Sequence, residues 1–159
     1  MRTLHTIRLR GPWGCQPLAR FEWDEAGLRS ETTTDLPPSG RLKMPADWSS
    51  VCGTDFQGRV RFRRRFHWPT PLTPRERMWL VFESVAVSAL VRLNDCDLGE
   101  FSADQTPAEF DVTARLAATN VLVVDVSCPL ERPAEASSGS AAPLAGGLPA
   151  EIRLEVRLV

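Results

Sequence analysis

The strict alternation of apolar and charged residues is the feature of this sequence that most constrains its fold. In segment 58–66, arginines separate the apolar residues Val60, Phe62 and Phe66, and segment 151–158 alternates in the same way near the C-terminus. Successive side chains of a β-strand point to opposite faces of a sheet. A period of two therefore predicts strands with one buried and one solvated face.

This period recurs along the chain, and no segment has the period of an amphipathic helix. The segments predicted as strands are 6–10, 19–23, 60–66, 78–82, 90–94, 109–112, 121–127 and 151–158. Residues Asn94-Asp95-Cys96-Asp97 predict a tight hairpin turn, because Asn and Asp tolerate left-handed backbone conformations. Segment 114–118 could form one helical turn. Many short strands separated by Pro, Gly and Asp predict an all-β, antiparallel β-sandwich or barrel.

The length of 159 residues fits one domain, which we expect to span residues 1–159. Segment 129–149 is rich in Pro, Ala, Ser and Gly and has no periodicity. Because a strong strand pattern follows it, we expect a mobile loop within the domain rather than a linker between two domains.

The bulk charge excludes some classes of partner. The formal net charge is −1 and the pI is about 6.1, so we expect neither a nucleic acid nor an anionic membrane. No apolar run is long enough to span a bilayer, and the N-terminus lacks the apolar core of a secretory signal, so a cytoplasmic location is expected. The isolated Cys15, Cys52, Cys96 and Cys128 argue against a zinc site and are expected to be thiols.

An ordered series of motifs resembles a known module. The series is Pro45-Ala46-Asp47-Trp48, Phe62-Arg63-Arg64-Arg65-Phe66, the strand from Leu80 to Val85, the hairpin with Val91, Asn94 and Leu98-Gly99, segment 107–113, the alternating Asn120, Leu122 and Val124, and Gly146-Gly147-Leu148. Over about residues 44–155 it resembles the N-terminal sugar-binding domain of family 2 glycoside hydrolases, the β-galactosidase and β-glucuronidase type.

The resemblance implies a galactose-binding-like jelly roll that is not an enzyme by itself. In this family the catalytic acids lie on a separate barrel domain, for which 159 residues leave no room. We therefore expect a stand-alone accessory domain. In β-galactosidases, the loop corresponding to Glu100–Thr106 supplies an acidic residue that reaches the substrate. Here the ungapped position is Ala103, and Asp104 follows it.

Tryptophans beside polar residues are the candidate sugar-binding groups. An aromatic ring can cover the apolar face of a pyranose while nearby polar side chains bind its hydroxyls. Trp48 beside Asp47, and Trp68 beside His67, have this composition near predicted strand ends. With Asp104 they form the candidate carbohydrate-binding set Trp48, Asp47, Trp68 and Asp104. The alternative is that each tryptophan closes one end of the core, as large aromatics commonly do.

The arginines of segment 58–66 divide between two faces. The outward Arg59, Arg61, Arg63 and Arg65 could bind phosphate or an acidic glycan, or could simply be a solvated or edge-strand face. The second interpretation is favoured, because no exposed aromatics are interleaved and the pI is not basic. Arg64 has the phase of the core, so we predict a structural ion pair with Asp111 or Glu83.

Other catalytic and metal sites have little support. His5 and His67 have no nucleophile motif nearby, and the scattered carboxylates fit turns and strand edges better than a glycosidase acid–base pair. The spacing of Asp95, Asp97 and Asp104 does not match a calcium-binding loop, so we expect no cofactor and no metal, with calcium the one alternative.

Two functions follow from the resemblance. The first is a non-catalytic carbohydrate-binding module whose partner is a saccharide. The second is a protein-interaction or assembly module, which docks on a hydrolase-type protein or forms a homo-oligomer through the face that the family packs against its barrel.

Overall fold

The chain folds as an antiparallel β-sandwich in the computed structural model, which describes residues 1–132 and 145–159. Most of the loop predicted for 129–149 lies outside the described residues. The strands within those ranges are β1 (Arg2–Arg8), β2 (Trp13–Trp23), β3 (Arg29–Thr32), β4 (Gly40–Leu42), β5 (Ala46–Asp47), β6 (Gly58–His67), β7 (Glu76–Phe82), β8 (Ser88–Leu93), β9 (Cys96–Ser102), β10 (Ala108–Asp111), β11 (Thr119–Cys128), β12 (Gly147–Leu148) and β13 (Ile152–Leu158).

Two sheets face each other across the core. The small sheet has the strand order β1-β13-β7-β10, and the large sheet has the order β3-β2-β6-β11-β8-β9, with β4 also paired to β2. β5 and β12 form a separate two-stranded ribbon. All of these pairings are antiparallel, which confirms the predicted all-β sandwich. Helical structure is limited to a short helix α1 (Ser49–Cys52) and 3-10 turns at Ala103–Gln105 and Thr113–Arg115.

The alternating residues of the central strands form the core. On β6, Val60 and Phe62 are fully buried, and they pair across the sheet with Val126 and Val124 of β11. Because both strands alternate in phase, these four apolar side chains point toward the small sheet. Burying apolar area in this way is the main favourable contribution to folding.

The predicted hairpin turn joins β8 to β9. Asn94 and Asp95 have φ values of 51° and 65°, the pattern of a type I′ turn. The Asn94 side chain also ties the hairpin to the neighbouring strand: its Oδ1 accepts from the Val121 backbone N–H at 2.9 Å, and its Nδ2 donates to the Arg115 carbonyl at 2.8 Å. The asparagine thus serves both the turn and the packing beside it.

The buried Asn120 forms a hydrogen-bonded amide pair with the half-buried Asn94. Its side chain is inaccessible to solvent, and its Oδ1 accepts from Asn94 Nδ2 at 2.9 Å and from the Ala117 N–H at 2.8 Å. Its Nδ2 donates to the Ala117 carbonyl at 2.8 Å. Buried polar groups are stabilising only when their hydrogen bonds are made, as here. The pair fixes the backbone from Arg115 to Val121 against the hairpin.

The outer face of the small sheet differs from the solvated face predicted for segment 151–158. Glu155 is only 8% exposed and lies between Arg153 and Arg157, each within 2.7 Å of its carboxylate. Arg157 also pairs with Glu109 at 2.7 Å, and Arg153 pairs with Glu83. Long side chains paired across strands therefore cover this face, which sequence alternation alone could not reveal.

Replacing Asn120 with Ala should destabilise the fold strongly. The variant leaves the Asn94 amide and both backbone groups of Ala117 without their buried partner, which should lower the free energy of unfolding by about 2–4 kcal/mol in urea denaturation. The exposed Gln16→Ala is the control, with an expected change below about 0.5 kcal/mol. Equal stability of the two variants would show that the amide pair contributes nothing.

The ion pair of Glu109 should make stability depend on pH. Its hydrogen bond with Arg157 lowers the pKa of Glu109 below the ordinary value of 4.5. Stabilisation by a carboxylate with a lowered pKa is present above its unfolded pKa and disappears as the pH falls through the folded value. Glu109→Gln should therefore be less stable than the wild type at neutral pH, and the difference should shrink below about pH 4.5.

Urea denaturation from neutral to acidic pH measures this difference. Glu22→Gln removes an exposed carboxylate that has no ion-pair partner in the described ranges, so it is the matched control and should track the wild type. A stability difference for Glu109→Gln that is the same at every pH would contradict the role of the ion pair.

Candidate functional site

Trp48, one of the predicted sugar-binding residues, is part of the core. It is fully buried, its Nε1 donates to the Phe56 carbonyl at 3.2 Å, and its ring packs edge-on against Phe56. Gly146 lies directly on the ring, where a Cβ would come within 2.3 Å of it. Trp48 therefore has no face free for a saccharide, and its predicted binding role is corrected to a packing role.

The two carboxylates predicted to bind saccharide, Asp47 and Asp104, accept hydrogen bonds from serines of their own loops. Asp47 is exposed, and its Oδ1 accepts from the backbone N–H of Ser49 at 2.8 Å and from the Ser49 hydroxyl at 2.5 Å. These hydrogen bonds, the hydroxyl first, lower the pKa of Asp47. The Asp104 carboxylate likewise accepts from the Ser102 hydroxyl, in a 3-10 turn closed by the Ser102 and Gln105 capping box.

The predicted set does not form one site. Trp68 follows the end of β6 at which β11 begins. Asp104 follows β9 at the other end of the large sheet, because Ser102 pairs with Ser88, which in turn pairs with Ser127 near the end of β11. Trp68 and Asp104 thus lie at opposite ends of the sandwich, and a single small saccharide cannot contact both.

Trp68 lines a recess that retains the features expected of a binding site. The recess, called here the Trp68 recess, has a volume of about 290 Å³ and is lined by Trp68, Pro69, Thr70, Pro71, Leu72, Thr113, Leu116, Ala117 and Ala118. Trp68 is half-buried, and its backbone N–H donates to the Ala118 carbonyl at 2.9 Å. Its indole Nε1 is buried and has no hydrogen-bond partner among the described residues.

Charged groups adjoin the Trp68 recess. A neighbouring recess of about 550 Å³ shares Thr113 with it and adds Arg77, Asp111, Ala114 and Arg115. One oxygen of the exposed Asp111 carboxylate accepts from the Thr113 N–H and hydroxyl, at 3.0 and 2.7 Å. Within the described ranges its second oxygen makes no hydrogen bond. An aromatic and apolar hollow beside a carboxylate and guanidinium groups is the composition that binds a pyranose.

Sequence analysis found only part of this site. It selected Trp68 because of its neighbour His67, but the His67 ring faces Thr119, with Nδ1 3.3 Å from its hydroxyl. The polar groups beside the recess come instead from β7, from the end of β10 and from the segment that follows β10, all distant from Trp68 in sequence. The prolines of segment 69–72 indicate a rigid loop after β6, and this feature of the sequence could have predicted one wall of the recess.

The predicted ion pair of Arg64 does not form. Its Nη1 donates to the Arg65 carbonyl, and its buried Nε has no partner in the part of the chain described. Glu83 instead pairs with Arg153, on the strand beside its own, and Asp111 bonds to Thr113. Arg64 belongs to the large sheet, whereas Glu83 follows β7 and Asp111 ends β10, both strands of the small sheet, where closer partners engage the carboxylates.

The described residues show no metal-binding cluster. No three His, Cys, Asp or Glu side chains converge in residues 1–132 and 145–159. Asp95 and Asp97 lie at the β8–β9 turn, whereas Asp104 lies beyond the other end of β9. Cys15, Cys52 and Cys96 are thiols that form no disulfide, and burial raises the pKa of the Cys128 thiol to about 11. Across the same ranges, no helix has the length and hydrophobicity needed to cross a membrane.

The family comparison agrees with this architecture. Residues 13–157 match the protein-family profile described as glycosyl hydrolase 2 galactose-binding domain-like. The match covers the non-catalytic N-terminal domain of these enzymes. No sequence among the curated proteins matches the chain.

Solved structures of glycoside hydrolases contain the same fold. A β-glucuronidase of Bifidobacterium dentium, complexed with coumarin-3-O-glucuronide, superposes with a TM-score of 0.72 at 20% identity over 99% of this chain. A rhamnosidase of Novosphingobium sp. PP1Y gives a TM-score of 0.67 at 16% identity, also over 99% of this chain. The chain covers only 30% and 16% of these two proteins.

Truncating Arg64 and Arg61 should have different effects on stability. Arg64→Ala removes no ion pair, so the free energy of unfolding should change by less than about 1 kcal/mol. Arg61 makes two hydrogen bonds, 2.9 and 3.0 Å long, to Asp125, which is 8% exposed. Arg61→Ala leaves that carboxylate without its partner and should lower the stability by about 1–3 kcal/mol. Urea denaturation of both variants measures this, and a larger loss for Arg64→Ala would contradict the assignment.

Proposed function

Because this chain belongs to the glycosyl hydrolase 2 galactose-binding domain-like family, we propose that it is a non-catalytic carbohydrate-binding module. The Trp68 recess is its saccharide site. The observation that carries the proposal is the half-exposed Trp68 in an apolar hollow next to Asp111, Arg77 and Arg115.

The recess suits one sugar ring in size and chemistry. Its volume of about 290 Å³ is close to that of the smaller ligand pockets of proteins. The indole ring covers the apolar face of the sugar, whereas its buried Nε1, which has no partner among the described residues, does not contact the ligand. Asp111 and Arg115, at the adjoining rim, bind hydroxyl groups that project from the ring. The solved relatives named as a β-glucuronidase and a rhamnosidase support saccharides as the ligand class.

A non-catalytic role fits the state of the carboxylates. Glu83, Glu109 and Asp97 are each engaged by an arginine, and Asp104 and Asp111 by a hydroxyl group of their own loops. A glycosidase instead needs two carboxyl groups facing each other across the scissile bond. Hydrolysis of nitrophenyl glycosides that a single carboxylate substitution abolishes would overturn this part of the proposal.

Trp68→Ala should weaken saccharide binding. Isothermal titration of the purified chain with a panel of neutral mono- and oligosaccharides identifies the ligand, and the variant should then bind it at least about tenfold more weakly. This follows because burial of an aromatic face contributes about 1.5–3 kcal/mol and each 1.4 kcal/mol changes Kd tenfold.

Trp23→Ala is the matched control. Trp23 is also half-buried, but it packs against Phe21 on β2, away from the Trp68 recess, so its loss should leave the Kd unchanged. Trp68→Phe keeps an aromatic face and should bind with intermediate affinity. This result would show that Trp68→Ala loses affinity because the aromatic contact is lost and not because the variant is unfolded. Absence of saturable binding at millimolar saccharide, or equal losses in Trp68→Ala and Trp23→Ala, would disprove the site.

The interaction module is the alternative that the same samples address. The exposed large apolar residues of the described ranges are Met1, Leu4, Leu28, Leu130 and Val159, near chain ends and turns rather than across one sheet face. Light scattering that shows concentration-dependent self-association, together with no saccharide binding, would favour this alternative over the carbohydrate-binding module.

A further inference from the structure

The outward arginines of β6 are only half neutralised. Arg59 pairs with Glu31 at 2.8 Å, and Arg61 pairs with Asp125 at 2.9 Å. Arg63 and Arg65 are exposed, and neither has a carboxylate within ion-pair distance in residues 1–132 and 145–159. On the same strand, the chain thus supplies counter-charges at one end and none at the other.

Protection of a strand edge does not explain these charges. β6 lies inside the large sheet, with β2 hydrogen-bonded on one side and β11 on the other. Charged side chains that block aggregation are needed on edge strands, where backbone groups are unpaired. An interior strand has no such need, so a solvated face and an anion-binding site remain as the explanations of these charges.

A glycine opens a notch between two of the arginines. Gly14 of β2 pairs with Arg63 on one side and with Arg41 of β4 on the other. Neighbouring strands are about 5 Å apart, so Arg41 and Arg63 stand roughly 10 Å apart across a residue that has no side chain. A Cβ at Gly14 would lie 3.8 Å from the nearest atoms of Arg63, so a larger side chain would be accommodated there.

The notch belongs to a recess without acidic residues. The recess has a volume of about 350 Å³ and is lined by Pro12, Gly14, Arg41, Arg63, Arg64 and Arg65; it is called here the arginine recess. The Nε of Arg64 is a buried donor with no partner in the described ranges. On the small sheet, by contrast, the half-buried Arg153 and Arg157 both pair with carboxylates.

A second recess continues the positive surface. It has a volume of about 370 Å³, shares Gly14 and Arg63 with the arginine recess, and adds Arg61, Arg92 and Asp95 to the charged lining. Arg61 and Arg92 are already held by carboxylates, Arg92 by Asp97 at 2.7 Å. The uncompensated charge is therefore concentrated in the arginine recess.

We propose that the arginine recess binds an oxyanion: the carboxylate, sulfate or phosphate group of a ligand. Guanidinium groups present several donors in a planar fork that matches such groups, often with two parallel hydrogen bonds. An anion in the notch contacts Arg41 and Arg63 from its two sides and relieves the repulsion among the guanidinium groups. This site is separate from the Trp68 recess and does not depend on the function proposed for it.

Titration of the purified chain with inorganic phosphate, sulfate and glucuronate tests the site, with glucose as the neutral counterpart of glucuronate. Chemical shifts of the arginine Nε–Hε groups report the contact directly. We expect saturable shifts with at least one anion and none with glucose. Arg63→Gln should weaken this binding about tenfold or more, the change in Kd expected from losing a charge-assisted hydrogen bond.

Two further variants separate a built site from general charge. Arg2→Gln removes the same charge from an exposed position on β1 and should leave the Kd unchanged. Gly14→Val keeps every charge but fills the notch, so it should weaken binding about tenfold; a β-branched residue suits a strand, so the fold should persist. Circular dichroism verifies the fold of each variant.

The identity of the preferred anion reveals the source of the ligand. Tighter binding of glucuronate indicates that the ligand is an acidic saccharide. Tighter binding of phosphate or sulfate indicates that the ligand carries a phosphate or sulfate ester group. Both results support the proposal. Absence of saturable binding by all three anions at tens of millimolar, or equal weakening in Arg2→Gln and Arg63→Gln, would overturn it. Trp68→Ala should retain anion binding, so either site can fail without the other.

Discussion

The hydrogen-bonded amide pair of Asn94 and the buried Asn120 connects the fold of this protein to its candidate site. Asn94 holds the β8–β9 hairpin against the start of β11, and Asn120 holds both backbone groups of Ala117. The segment Leu116 to Ala118 that they position is one wall of the Trp68 recess. The hydrogen bonds of these two side-chain amides thus fix the conformation of the surface segment Leu116 to Ala118 relative to the core.

Charge is distributed differently over the two outer faces of the sandwich. On the small sheet, Glu155 and Glu109 pair with Arg153 and Arg157, so the face is closed by its own ion pairs. On the large sheet, Arg63 and Arg65 have no carboxylate within ion-pair distance among the described residues, although Arg61 pairs with Asp125. A net charge of −1 hides this contrast, because opposite charges at distant places cancel in the sum but not in the local field.

The family fold provides the scaffold but does not decide the ligand. Structures that share this fold at 16–20% identity belong to enzymes of which the chain covers a small part. Function resides in side chains placed on such a scaffold. In this protein, the side chains that we propose for ligand binding are Trp68 at one end of the sandwich and the arginines on the outer face of the large sheet.

Alternation along the chain determined the class of fold and the inward residues of the central strands, because a period of two is a local property of extended backbone. The Asn94–Asp95 turn was equally local. Tertiary structure decided which residues are accessible to a ligand. Trp48 is buried against Gly146, and β6 is an interior strand of the large sheet. Glu83 forms its ion pair with Arg153 and not with Arg64. These outcomes depend on which strands become neighbours, and the long-range pairing that sets this leaves no signal in the spacing of residues along one strand.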